Sequence, residues 1–238
     1  MPDATTRYIN AAQIVAFAPS IATTLKSDIL YVSLLAQLLA DKARFTTLSN
    51  WHHGYTSALT RMHWVRTSDS VHSITPDSPT ATLTDLIDTA AMPMHAKILL
   101  MDTLRALRQP TNTHALTIFR QAVCKPHGHL RPSNLWFGLV QVTDASDIKT
   151  FALTVEAPEP TLSLDWSGSA FDTVPEGSIF KLRYAQCELA PAYDEIRAKV
   201  VKALGDKPGQ YLSVIENAQD MPDPAPPLGV TPGDIKMK

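Results

Sequence analysis

The sequence predicts an α+β fold, in which a helical N-terminal half packs on a mostly antiparallel sheet of roughly four to five strands, with a closing C-terminal helix. Three observations lead there. Apolar residues recur at helical spacing over the first half of the chain, and the period then shortens to strand alternation or continuous apolar runs. The joints between the later runs are also too short for parallel crossovers, which need a dozen or more residues.

The elements follow in order. Over 27–43, Leu30, Leu34, Leu35, Leu38 and Leu39 form a helical stripe, with Ser27 placed to cap and Asp28 in the first turn. Ser49 opens a second helix whose face is Trp51, Tyr55, Leu59 and Met62. The segment from Thr67 to Thr80, polar and holding two prolines, reads as a break. Thr82 with Asp85 resembles a capping box ahead of Leu83, Leu86, Ile87 and Ala90. Pro93 suits the first turn of a helix with the stripe Ile98, Met101, Leu104 and Leu107, and Thr113 caps one carrying Leu116, Phe119 and Val123.

Leu135 to Val142 is a continuous apolar run, a strand buried on both faces. Phe151, Leu153 and Val155 alternate with Thr150, Ala152 and Thr154, and Leu162, Leu164 and Trp166 alternate with polar neighbours, as half-buried strands do. A turn at Pro175–Ser178 leads into Phe180, Leu182 and Tyr184. Pro191 to Leu204 returns to helix with Gly205 as its stop, and Tyr211 to Ile215 is a last short strand. One domain over 1–220 is expected, because the sheet alone would leave an apolar face uncovered. The Pro-rich stretch 221–238 reads as a flexible tail.

Composition excludes several classes. The 238 residues carry 21 basic and 23 acidic side chains, a net charge of −2, so the electrostatic footprint of a nucleic-acid binder is missing. Two cysteines are too few for a disulfide scaffold or a Cys-rich zinc module. The chain shows no spanning segment and no secretory signal pattern, so the expected location is the cytoplasm, or release by a route without a signal peptide. No serine-hydrolase elbow, phosphate loop or dinucleotide fingerprint occurs. His52 and His53 are adjacent and would diverge on a helix, so no metal site and no nucleotide cofactor are expected.

Chemistry can sit at Cys187, in Tyr184-Ala-Gln-Cys-Glu-Leu-Ala-Pro191 between a strand and a helix. An unbroken strand puts Cys187 on the face of Lys181 and Arg183. Those cations and the following helix N-terminus would lower the thiol pKa, against Glu188. A thiolate there could attack an acyl donor and hold the acyl group as a thioester. Cys124 is the competing candidate, with His127 and His129 close enough in sequence to act as bases. The plainer alternative is that both cysteines are structural.

This order of parts, with Tyr184-Ala-Gln-Cys187-Glu-Leu before a helix, resembles the Erwinia virulence factor family. The resemblance implies a virulence-associated protein carrying a fatty acyl group, palmitate, as a thioester on a buried cysteine. By it, Cys187 is the acylated residue. The partners it implies are an acyl donor and a weak membrane contact, since one chain alone binds membranes marginally. Leu34, Leu38, Leu99 and Phe119 are the kind of side chains that would line the pocket. An enzyme would pass the acyl group on, in acyltransferase or thioesterase fashion, with His127 or His129 as base. The alternative is a non-catalytic, toxin-associated or host-binding module.

Overall fold

A computed structural model describes residues 5–43, 45–74, 82–123, 134–156 and 177–216. Cys124, His127, His129, the strand expected around Leu162–Trp166 and the tail 221–238 lie outside the described residues.

The class is α+β, but the sheet is larger than expected. Among the described residues, seven strands run in the order β3-β6-β5-β4-β2-β1-β7. They are β1 (Thr6–Asn10), β2 (Gln13–Phe17), β3 (Trp64–Ile74), β4 (Asn134–Asp144), β5 (Asp147–Glu156), β6 (Ile179–Leu189) and β7 (Leu212–Ile215). All neighbours are antiparallel except β2 and β4, whose parallel pairing spans the long excursion through the N-terminal helices.

The helices are α1 (Thr23–Lys42), α2 (Leu48–Arg61), α3 (Leu83–Thr89), α4 (Met94–Ala106), α5 (Thr113–Val123), α6 (Arg197–Leu204) and α7 (Pro208–Tyr211). They cover both faces of the sheet. Helix α2 lays Trp51 and Tyr55 on Trp136, with ring centroids 4.5 and 5.5 Å away, whereas α5 sets Phe119 against Phe137 on the opposite face. Covered on both sides, the central strands lose alternation. All five residues of β2 are buried, and in β5 Ala152 and Thr154 are buried along with Phe151, Leu153 and Val155.

The extra strands escaped the sequence pattern for definable reasons. Strands β1 and β2 make a hairpin with Ala11 at φ 52°, and their short apolar stretch carries no alternation. Strand β3 replaces the expected break after Thr67. Among the described residues it is an edge strand that pairs only with β6, so Val65, Arg66, Thr67 and Ser68 stay exposed and polarity is no bar to pairing.

Several helix details also shift. Helix α1 starts before Ser27, whose hydroxyl donates to Thr23 O within the helix, and Ala22 is the N-cap. Thr47, one turn before Asn50, caps α2 by accepting from the Asn50 N–H. The Thr82–Asp85 capping box is present as read. Pro93 is the N-cap of α4, and the buried stripe there is Ala96, Leu100, Thr103 and Leu104, while Ile98 is exposed. Pro191–Glu195 forms a 3-10 turn, so the helix ending at Gly205 begins only at Arg197.

Candidate functional site

Cross-strand partners point to the same face of a sheet, so register alone assembles one wall of a site. Trp64, Arg66, Asp69 and Val71 of β3 lie opposite Leu189, Cys187, Ala185 and Arg183 of β6. On the other side of β6, Cys187, Ala185 and Arg183 face Ile148, Thr150 and Ala152. Ala152 faces Gly138, which faces Gln13. The middle of this surface is made of small residues (Gly138, Thr150, Ala152, Ala185), and α2 passes over it presenting His52, Tyr55, Thr56 and Leu59 at helical spacing. Small side chains below and a helix above leave a cavity of about 230 Å³.

Cys187 sits inside β6, two residues before its end, and is buried. The structure therefore keeps it on the face expected from an unbroken strand but reverses the expected effect on the thiol. Burial pushes the Cys187 thiol up, and this outweighs the Trp64 indole N–H, the Thr150 hydroxyl and the Arg66 guanidinium, which act the other way. Lys181 is not available to help, because its ammonium pairs with Glu156 at 2.9 Å. A helix N-terminus does not follow directly either, since α6 starts ten residues on, at Arg197.

The polar groups around the cavity are unevenly satisfied. The Tyr55 hydroxyl accepts from Gln13 Nε2 at 2.8 Å, and Gln13 Oε1 accepts from Gln37 Nε2 at 3.1 Å. Burial raises the Tyr55 pKa, so it stays a neutral phenol with its own proton to donate. Arg66 pairs with Asp69 at 3.3 Å. By contrast, His52 Nδ1 and Arg183 Nε are shut off from solvent and have no hydrogen-bond partner among the described residues, and the buried Trp64 indole N–H has no oxygen or nitrogen acceptor there, only the neighbouring Cys187 sulfur. Burial first, then Arg183, Arg66 and His53, push His52 down to about 3, which makes it a neutral imidazole at pH 7.

From the sequence, Cys187 and Arg183 share a strand face and Tyr55 belongs to the apolar face of α2. His52, in the sequence one of two adjacent histidines diverging on a helix, turns out to be a cavity residue. The available signal was the spacing His52, Thr56, Leu59, a second stripe beside Trp51, Tyr55 and Met62. Leu34, Leu38, Leu99 and Phe119 do not line the cavity. Among the described residues there is no group of three His, Cys, Asp or Glu side chains that could hold a metal. No helix among them is long and apolar enough to cross a membrane.

The fold and site define an α+β protein with a partly buried cavity lined by one cysteine, two histidines and two arginines. No protein-family model matches the chain, and no curated protein matches it.

Proposed function

We propose that the protein holds an acyl group as a thioester on Cys187, inside the cavity under α2. The observation that carries this reading is a buried thiol on a cavity wall whose neighbours include hydrogen-bond donors without acceptors. In the reaction, Cys187 Sγ attacks the carbonyl carbon of an acyl thioester donor. The new C–S bond replaces the donor's, and the Cys187 proton leaves with the departing thiol. The Trp64 indole N–H and the Tyr55 hydroxyl are the donors for the oxygen that becomes negative in between.

The raised thiol pKa favours carrying over rapid turnover. A high-pKa thiol is a slow nucleophile precursor and a poor leaving group, so a thioester on Cys187 forms slowly and persists. His52 is neutral, but with a pKa near 3 it is a weak base, which again fits a carrier. The cavity, at about 230 Å³, falls below the roughly 300–1,000 Å³ of small-molecule pockets. It suits a short acyl chain better than a whole palmitoyl chain. Palmitate and the association with virulence rest on the family resemblance.

Intact mass before and after neutral hydroxylamine tests the proposal. The expected result is an excess mass that hydroxylamine removes and that Cys187→Ser lacks while Cys124→Ser keeps it. The bare-chain mass after incubation with short acyl thioesters would overturn it and leave the binding module, with Cys187 as a packed side chain.

A further inference from the structure

The end of the cavity remote from Cys187 has its own chemistry. Arg183 precedes Cys187 by four residues on the same strand face, roughly 13 Å along the backbone. Val71 lies across from Arg183 on β3 and Ala152 on β5, and neither can neutralise it. Arg183 makes no ion pair among the described residues, and its Nε is buried without a partner. The other cation of the cavity, Arg66, is already matched by Asp69. His52, whose Nδ1 also lacks a partner, shares this cavity and senses the Arg183 charge. An unpaired guanidinium on one cavity wall, beside an imidazole whose Nδ1 can carry the ring proton and donate, is a donor set waiting for an anionic oxygen group.

From this geometry we infer that Arg183, with His52 beside it, forms a carboxylate subsite, so that the acyl group taken by Cys187 ends in a second carboxylate. A single uncompensated cation matches a monoanion; the planar guanidinium fork fits carboxylate and phosphate alike, but a carboxylate brings one charge where a phosphate monoester brings nearly two. The floor between the two ends is small and mostly apolar, because Ala185 lies between Cys187 and Arg183 on β6 beside Thr150 and Ala152 of β5, and Leu59 of α2 also lines the cavity. The ligand class is therefore a short aliphatic chain with an acid at one end and an acyl carbonyl at the other. The inference rests on the thioester reading only for what happens at Cys187.

Calorimetry with octanoate, 1-octanol and octyl phosphate tests the subsite without requiring acylation. Wild-type protein is expected to bind octanoate at least about tenfold tighter than 1-octanol, the effect of one charge-assisted hydrogen bond. Arg183→Met, which keeps the aliphatic stem, is expected to abolish that preference, and Arg183→Lys to retain part of it. Cys187→Ser is expected to keep the full preference, so a failed acylation test and a failed subsite are distinguishable. Equal binding of octanoate and octanol to wild-type protein, or a preference that survives Arg183→Met, would overturn the subsite. Tighter binding of octyl phosphate would overturn the carboxylate assignment.

Discussion

Gln13 Nε2 donates to the Tyr55 hydroxyl at 2.8 Å, joining the turn end of strand β2 to the helix that roofs the cavity. Gln13 is in turn held by Gln37 of α1, which also donates to Asn10 O and accepts from the Ala12 N–H. The height of α2 above the sheet is thus set by a buried polar chain rather than by apolar contact alone. Such chains specify one arrangement when every member is satisfied.

Tyr55→Phe leaves the ring packing on Trp136 intact and orphans the Gln13 amide. A loss of about 1–3 kcal/mol in unfolding free energy is expected, the cost of a buried donor without an acceptor. Urea denaturation would show it as a lower midpoint at unchanged slope. If Tyr55 also polarises an acyl carbonyl, acylation of Cys187 slows in the same variant.

His52 gives a pH signature with a definite sign. Its folded pKa, near 3, lies below the unfolded value of 6.5, so between these values the unfolded chain binds the extra proton. This contribution to stability is complete above pH 6.5 and is lost as pH falls toward 3, at up to about 1.4 kcal/mol per pH unit before allowance for the ring's partial exposure. In His52→Gln the slope of stability against pH is expected to flatten in that window relative to wild type. Parallel slopes would mean that His52 titrates normally.

The native Cys187 thiol should be slow toward a water-soluble disulfide reagent. Burial both blocks access and raises the pKa, so in a Cys124→Ser background the rate is expected to climb as pH passes 9 and to jump on denaturation. A fast reaction at neutral pH would show a thiolate and favour turnover over carriage.

Gly54 faces Phe45 so closely that an alanine Cβ would lie 2.3 Å from the ring edge. Gly54→Ala should therefore displace Phe45 and destabilise by about 1–3 kcal/mol, less the gain of up to about 1 kcal/mol from helix propensity. In a Phe45→Ala background the same change should stabilise. Thermal melts of the four proteins would reveal the change of sign.

Much of this architecture was legible without coordinates. The capping box at Thr82 and Asp85, the Trp51–Tyr55–Leu59 stripe of α2, the doubly buried run of β4, and the stop at Gly205 are all local. Each depends on side-chain spacing or on one residue's φ preference, which a linear sequence records directly. The face shared by Arg183 and Cys187 is local too, because strand alternation requires it. Their pairing with Val71 and Arg66 is not, since sheet register there joins residues more than a hundred positions apart. The edge strand β3 and the hairpin of β1 and β2 were hidden because pairing, not pattern, makes them strands. The thiol pKa shows the same division most sharply. Neighbours in sequence argued for lowering it, and only the packing of α2 over a floor of small residues, which removes water from Cys187, raises it.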